Sequence, residues 1–255
     1  MSSDTIYDHP LYYDILFGFD RGVEAAFYER TLERCGVAPG ASVLEVGAGP
    51  ARIARLLARR GWRVTALDRS AAMLAYARQA AAGEGARLEV IEADMKDFRV
   101  ARPFAAAYNP LSSFRLLHRD AAVDAHLRCM ADAIAEGGVY VVDLALQAAE
   151  GDAPTTDDSW EMRRGAVTVH ATNDGVTVRD GGVERRLAWG AEAHLRGYTA
   201  STYVARLATC PAFTIESWHP ETGRPTGVSE FAAEGASRAP AVGRAMVVLR
   251  RRRHA

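Results

Sequence analysis

Cysteine and lysine are scarce in this chain of 255 residues, and its net charge is close to zero. The three cysteines are Cys35, Cys129 and Cys210. Because they lie far apart and match no metal-binding or redox spacing, they predict reduced packing residues and no metal site. Lysine occurs once, as Lys96, and the formal net charge is −1. A chain so close to neutrality is not expected to bind nucleic acid or a membrane surface.

The chain also lacks a long apolar segment. No apolar run is long enough to cross a bilayer, and the opening stretch MSSDTIYDHP contains no basic-plus-apolar leader. These absences predict a cytoplasmic protein. Hydrophobic residues make up 49% of the chain and charged residues 25%. That composition is enough to bury a sizeable core, in one large α/β domain or in a domain with a small appendage.

A glycine is missing from the turn in VLEVGAGPARIARLL, residues 43–57, where an apolar strand runs through Gly47 and Gly49 into a helix. A dinucleotide-binding turn has a third glycine, and this chain has Arg52 in its place. Glu45 precedes Gly47 by two residues and would repel a pyrophosphate. It suits the ammonium and sulfonium groups of S-adenosylmethionine, directly or through water. The turn therefore favours S-adenosylmethionine over a nicotinamide or flavin dinucleotide.

Strands and helices alternate over the first 147 residues, which predicts an α/β fold with a doubly wound, mostly parallel, Rossmann-like sheet. Apolar runs predict strands over 42–46, 61–68, 86–94, 103–109 and 139–146. Helical periodicity predicts helices over 20–35, after the glycine turn, over 70–81 with Ser70 as its cap, and over 119–138 with Gly137 and Gly138 ending it.

The pattern changes after Gln147. Short strands alternate there with the hairpin signals NDG, residues 173–175, and DGG, residues 180–182. They predict a small antiparallel β insert that forms a cap. A helix over 199–210 and strands over 212–218 and 245–250 then close the core. The predicted division is a helical segment plus cofactor-binding core at 1–147, the cap at 148–195, and the closing helix and strands at 196–255.

Three acidic residues end successive predicted strands, where ligands bind in open α/β sheets. Besides Glu45, they are Asp68 and Asp94. Asp68 can accept hydrogen bonds from both ribose hydroxyls, and Asp94 can accept one from the adenine amino group while the Met95 backbone meets the ring edge. The competing interpretation is that Asp68 caps a helix and Asp94 lies at the surface. Their shared placement favours a single site.

Several motifs resemble a known family. VLEVGAGPA, ALDRSAAML and IEADMKDF resemble the first motifs of class I S-adenosylmethionine-dependent methyltransferases, over about residues 41–144 plus the closing strands. YYDILFGFD and ADMKDFRVARPFAAAYNPLSSFRLL are most similar to bacterial small-molecule N-methyltransferases that dimethylate amino groups on nucleotide-linked sugars. Such enzymes tend to carry a second tyrosine where this chain has Phe17. The resemblance implies cofactor contacts from Tyr13, Glu45, Gly47, Ala48, Gly49, Asp68, Arg69, Met73, Asp94, Met95 and Asn109.

Tyr13, Asn109 and His118 are the candidate catalytic residues, and His118 is either a base or only a surface histidine. Ser112 and Ser113 bind substrate or only form a turn, and Tyr12 accompanies Tyr13 over the cofactor or packs. His126 is predicted to pack. Several cap residues either line the site or only fill and solvate the cap: Arg163, Arg164, Arg185, Arg186, Trp160, Trp189, His170 and His194.

The main prediction is an S-adenosylmethionine-dependent methyltransferase that acts on a small-molecule acceptor, with nitrogen favoured over oxygen or carbon. The alternatives are an O- or C-methyltransferase, a dinucleotide-dependent oxidoreductase, and a non-catalytic cofactor-binding protein. The predicted partners are the small molecule alone, without nucleic acid or membrane, and a homodimer is left open.

Overall fold

The structure, a computed structural model, describes residues 4–19, 21–149, 151–152, 159–190, 195–222 and 230–253. The helices are α1 Pro10–Leu16, α2 Gly22–Arg34, α3 Arg52–Arg59, α4 Ala71–Gly83, α5 Asp120–Ala133 and α6 Ala200–Ala208. The strands are β1 Ser42–Val46, β2 Arg63–Asp68, β3 Glu89–Glu92, β4 Phe104–Asn109, β5 Ile134–Leu146, β6 Gly151–Asp152, β7 Trp160–Arg164, β8 Val167–Thr172, β9 Gly175–Asp180, β10 Val183–Leu187, β11 Arg196–Gly197, β12 Phe213–Thr222, β13 Glu230–Phe231 and β14 Gly243–Arg251.

The largest sheet has eight strands in the order β13-β12-β14-β5-β4-β1-β2-β3. Strands β1 to β5 pair in parallel, and β14, β12 and β13 pair antiparallel at one end. β5 is buried along residues 139–144 because helices cover both faces of this sheet. The prediction of a doubly wound, mostly parallel sheet is therefore confirmed.

The predicted end of the fifth helix is wrong. α5 ends at Ala133 and β5 begins at Ile134, so Gly137 and Gly138 lie inside the strand. They allow an irregularity in the pairing of β5 with β4, where Phe104 opposes Ile134 but Ala106 opposes Val139. A Cβ at Gly138 would lie 2.7 Å from the Ala105 carbonyl oxygen. The two glycines serve the sheet and do not cap the helix.

A separate antiparallel sheet with the order β10-β9-β8-β7 follows β5 in the chain. Gly181 and Gly182 both have positive φ in the turn between β9 and β10, as the DGG signal predicts. The sheet packs against the N-terminal segment, where Ile6, Ile15 and Leu16 share a buried cluster with its apolar face. It lies inside the predicted cap, residues 148–195, whose boundaries remain a prediction.

Across the described parts of the chain, no helix combines the length and the apolar character that a membrane-spanning helix needs.

Candidate active site

A cavity of about 900 Å³ lies beyond the carboxyl ends of the parallel strands. That volume falls in the range, roughly 300–1,000 Å³, of sites that enclose small molecules. Its wall brings together most of the predicted site residues: Tyr13, Gly47, Gly49, Asp68, Arg69, Met73, Asp94, Met95 and His118. Glu45, Ala48 and Asn109 are buried behind the wall and do not line it.

The glycine turn follows β1 and forms one side of the cavity. Gly47 and Gly49 have φ of +66° and +52°, a left-handed conformation that a side chain would strain. A Cβ on Gly47 would lie 3.1 Å from the Cβ of Ser113. The turn therefore keeps its backbone open to a ligand. Arg52, where a dinucleotide-binding turn has glycine, instead extends to Asp14 in α1, at 2.5 Å from a carboxylate oxygen.

Asp68 lies at the end of β2 and is held in place by the turns on either side. One carboxylate oxygen accepts the Gly49 amide at 2.7 Å, and the other accepts the Ser70 amide at 2.9 Å. Burial raises the pKa of Asp68, although these two hydrogen bonds oppose the shift. An ionised carboxylate has about four acceptor sites. Backbone groups of Gly49, Ser70 and Arg69 use three of them. The remaining acceptor capacity faces the cavity and fits a hydroxyl of the ribose of S-adenosylmethionine.

Glu45 is directed at α3 and not at the cavity. Its carboxylate accepts hydrogen bonds from the Ala54 amide at 2.6 Å and from the Tyr108 hydroxyl at 2.9 Å. Burial raises the pKa of Glu45 to about 8 despite these two donors. Glu45 therefore lies between the sheet and the N-terminal end of α3. Its carboxylate does not line the cavity.

The segment after β3 forms the other side of the predicted cofactor end. Asp94 lines the cavity and accepts the Lys96 amide at 3.1 Å. Burial alone would raise the pKa of Asp94, but the hydrogen bonds that it accepts from Lys96 outweigh burial. The pKa of Asp94 therefore lies below its ordinary value. The Met95 carbonyl accepts a hydrogen bond from His126 Nδ1 at 2.8 Å, while His126 Nε2 accepts one from the Tyr140 hydroxyl at 2.7 Å.

His126 Nδ1 must carry the proton of this pair, because a carbonyl oxygen can only accept. Burial lowers the pKa of His126 to about 4, which is consistent with a neutral ring. The prediction that His126 packs in the core is confirmed, since it is fully buried. Its hydrogen bonds also fix the Met95 backbone beside the cavity.

The predicted acceptor end lies between α1 and the turn after β4. Leu111 and Ser112 have φ of +55° and +58°. This left-handed conformation costs a residue other than glycine on the order of 1–3 kcal/mol, and such strained residues are concentrated at functional sites. Ser113 closes this turn by donating to the Pro110 carbonyl at 2.9 Å. Both serines line the cavity, so neither of the two predicted roles is eliminated. His118 is exposed on the same wall.

Asn109 is separated from this end by the glycine turn. Its Nδ2 donates to the Val46 carbonyl at 2.7 Å, and its Oδ1 has no hydrogen-bond partner among the described residues. Asn109 therefore joins β4 to β1 at the base of the turn. Any effect of Asn109 on a ligand passes through the backbone around Gly47.

Tyr13 of α1 and Phe17, which follows the helix, line the cavity with ring centroids 4.6 Å apart. Tyr12 points to the antiparallel sheet and donates to Asp180 at 3.0 Å. Trp160 and Trp189 pack beside Phe17, so they join α1 to that sheet and do not line the cavity. His194 lies outside the described residues.

The sequence interpretation missed several lining residues. Tyr7 packs its ring 5.3 Å from that of Tyr13, and Arg21 and Arg244 line the cavity next to α2. Both arginines contact Glu24, at 3.0 and 2.7 Å. The tyrosine in the TIYDHP stretch was a detectable signal. Among the described residues, no group of three histidine, cysteine or acidic side chains lies close enough to hold a metal ion.

Residues 43–138, which contain the glycine turn, Asp68 and Asp94, match the family described as a methyltransferase domain. Residues 43–138 carry a methyltransferase domain. The predictions of a methyltransferase enzyme and of S-adenosylmethionine as its cofactor are thereby confirmed. The alternative of a dinucleotide-dependent oxidoreductase has no support. A comparison with the curated proteins finds no match.

Solved structures share the fold of this chain over nearly its whole length. An S-adenosylmethionine-dependent methyltransferase from Clostridium acetobutylicum is 14% identical, with a TM-score of 0.69 over 95% of this chain and 96% of that one. A sugar N-methyltransferase from a Streptoalloteichus species is 24% identical, with a TM-score of 0.66 over 99% and 95%. An amino pentose methyltransferase from Micromonospora echinaspora is 23% identical, with a TM-score of 0.60 over 92% of each chain.

Proposed function

We propose that the protein transfers methyl groups to an amine nitrogen of a small molecule, such as a sugar or another natural-product intermediate. One observation carries the proposal: the cavity extends from Asp68 at the predicted cofactor end to Ser113 and His118 at the predicted acceptor end. The likeness to a sugar N-methyltransferase over 99% of the chain supports nitrogen as the acceptor atom.

In this proposal, Asp68 accepts hydrogen bonds from the ribose hydroxyls, and Asp94 accepts one from the adenine amino group. Gly47 and Gly49 let the backbone approach the amino-acid part of the cofactor, and Tyr13 covers it. Burial raises the pKa of Tyr13, so its hydroxyl stays neutral beside a positively charged sulfur. When bound, S-adenosylmethionine would supply a methyl group that an amine nitrogen can take by forming an N–C bond as the S–C bond breaks, with S-adenosylhomocysteine as the leaving group.

The chain's own contribution at the acceptor end is alignment and removal of a proton. Holding two reactants in line supplies on the order of 7–11 kcal/mol of a barrier. An amine that arrives as an ammonium has no free lone pair, so its N–H bond must break first. In the proposal, His118 accepts that proton at an imidazole nitrogen.

The test is mass spectrometry of purified protein incubated with S-adenosylmethionine and matched pairs of amino sugars and hydroxyl sugars. We expect one or more methyl groups on the amino member of a pair and none on its hydroxyl counterpart. Methylation of the hydroxyl member alone would make the protein an O-methyltransferase.

A second test addresses His118. We expect His118→Gln to lower kcat below the pKa of the acceptor amine, and to have little effect above it, where solvent supplies the free amine. The matched control is His170→Gln, in β8 and away from the cavity wall. A pH profile that is identical for both variants would remove His118 from the proposed chemistry.

A further inference from the structure

A second cavity, of about 420 Å³, lies on the other side of α1 from the large one. It is enclosed by the end of α1, by α3 and α4, and by the last residue of β7. Its charged lining residues are mostly arginines: Arg21, Arg52, Arg55, Arg59 and Arg164, with Asp14 and Glu84 as the carboxylates. None of these residues belongs to the proposed methyl-transfer machinery.

The arginines outnumber the carboxylates that neutralise them. Asp14 lies within ion-pair distance of three guanidinium groups, those of Arg52 at 2.5 Å, Arg164 at 2.9 Å and Arg55 at 3.4 Å. Glu84 pairs with Arg55 at 2.6 Å. Three cations therefore share two anions. Arg21 is balanced separately, by Glu24 in α2.

Arg59 adds a further positive charge. It is exposed at the end of α3 and forms no ion pair with any described residue. With the excess among the three paired arginines, it gives this cavity a surplus of two positive charges. A surplus of one sign in a concave site concentrates counter-ions there.

Part of this charge is shielded from water. The Arg55 side chain is only 7% exposed, and its Nε has no hydrogen-bond partner among the described residues. Burial lowers the pKa of Arg52, and repulsion from Arg55 and Arg164 lowers it further although Asp14 opposes the shift. Like charges held together in this way are stabilised by an added anion, because removing their repulsion favours the bound state.

We propose that this second cavity binds a phosphate-type dianion, free or carried by a small phosphorylated molecule. Guanidinium groups match phosphate oxygens with pairs of parallel hydrogen bonds. The Tyr76 hydroxyl, which donates to Asp14 at 2.8 Å, adds a polar group to the lining. Leu56 and Ala80 provide apolar surface beside the arginines for the remainder of a phosphorylated ligand.

The site is coupled by position to the methyltransferase cavity. Asp14 lines the second cavity and the preceding residue, Tyr13, lines the first. Arg21 lines both. A ligand at the arginines therefore contacts the same helix, α1, that covers the proposed cofactor end.

The test is isothermal titration calorimetry of the full chain, at low salt, with inorganic phosphate, pyrophosphate and a sugar phosphate in separate arms. We expect binding that weakens as sodium chloride is added. Arg59→Ala and Arg164→Ala should each raise Kd about tenfold, the usual effect of losing one hydrogen bond to a charged group. A tighter Kd for the sugar phosphate than for pyrophosphate would assign the site to a phosphorylated small molecule, and the reverse order to a free anion.

Arg78→Ala is the matched control, because Arg78 is an exposed arginine of α4 outside the cavity lining. It changes the net charge equally, and Kd should stay within about twofold of that of the unchanged protein. Melting temperatures of all variants establish that they are folded. The proposal is overturned if no arm shows binding, or if Arg78→Ala weakens binding as much as Arg59→Ala does. Since the titration does not depend on methyl transfer, its result is independent of the proposed function.

Discussion

Asp68 is the single side chain on which the proposed cofactor site most depends. Replacing it with alanine removes a buried acceptor and also the hydrogen bonds that hold the Gly49 and Ser70 amides. We expect Asp68→Ala to weaken binding of S-adenosylhomocysteine by roughly 1–3 kcal/mol, as measured by calorimetry.

The control for this substitution is Asp132→Ala, an exposed aspartate on α5. It removes the same charge outside the cavity lining, so the dissociation constant should not change. If Asp68→Ala also leaves the dissociation constant unchanged, Asp68 does not contact the cofactor.

Glu45 predicts a pH dependence of stability. Because burial raises its pKa from the ordinary 4.5 to about 8, the folded state binds a proton that the unfolded state has released between those values. The free energy of unfolding therefore falls as pH rises through that window, by up to about 1.4 kcal/mol per pH unit from this group. Glu45→Gln keeps the acceptor oxygen and removes the titration.

Urea denaturation at pH 5, 6, 7 and 8 measures this effect as the difference between Glu45→Gln and the unchanged protein. The variant should gain relative stability steadily as pH rises. A constant difference across the series would mean that Glu45 is ionised throughout and that the Ala54 and Tyr108 hydrogen bonds outweigh its burial.

Glu45 also shows why a motif predicts a residue near the cavity without predicting which way its side chain faces. A residue inside a strand points its side chain into one of the layers that flank the sheet. Glu45 lies inside β1, as the fourth of its five residues, and its side chain faces α3, where it accepts the Ala54 amide. Asp68 ends its strand and Asp94 follows its strand, and both reach the cavity. Spacing in the sequence did not distinguish these two situations.

At the scale of elements, the irregularity in β5 can be tested with one methyl group. In Gly138→Ala, the new Cβ would lie 2.7 Å from both the Ala105 carbonyl oxygen and the Ile134 side chain. Since neither neighbour is free to move without disturbing the sheet, we expect the free energy of unfolding to fall by roughly 1–3 kcal/mol in urea denaturation.

Gly83→Ala is the paired control. Gly83 is the last residue of α4, and a Cβ there would meet no atom within 4 Å. Alanine should leave stability unchanged or raise it by up to about 1 kcal/mol. Equal losses in both variants would indicate that the crowding at Gly138 is relieved by local movement.

The elements themselves were largely predictable, and the exception has a physical cause. Apolar runs of four to eight residues between glycines identify strands, and Ser70 begins α4 by accepting the Met73 amide as predicted. The sequence IAEGG, residues 134–138, continues the helical pattern of α5 and ends in two glycines, which is typical of a helix end. Residues 134–138 form a strand because they pair with β4, and that pairing depends on the arrangement of the whole sheet.

For the whole molecule, the cofactor assignment predicts a selective stabilisation by ligand. S-adenosylhomocysteine at about 100 times its dissociation constant should add roughly 2.7 kcal/mol to the free energy of unfolding, which raises Tm by several degrees. The dinucleotides NAD and FAD at the same concentrations should leave Tm unchanged. A shift with a dinucleotide and none with S-adenosylhomocysteine would contradict the assignment.

The cavity lining is where sequence interpretation was least complete. Glu24 and Arg244 are 220 residues apart in the chain and form an ion pair beside the cavity. No motif joins α2 to β14, because their meeting depends on the order in which β14 inserts beside β5. The sequence predicted the lining residues that directly follow a strand, such as Asp68 and Asp94. It did not predict lining residues such as Arg244, which the sheet topology brings to the cavity from a distant part of the chain.

The pairing of the N-terminal segment with the antiparallel sheet has a consequence for biosynthesis. The Ile6 amide donates to the Ala188 carbonyl at 2.9 Å, and Ile15 and Leu16 are buried against strands β8 and β9. During translation, Ile6 leaves the ribosome about 180 residues before its partner does, at a rate of about 5–20 residues per second. For that interval its apolar neighbours have no native surface to cover them. The N-terminal segment is thus made early, and it can reach its native contacts only after the antiparallel sheet has been synthesised.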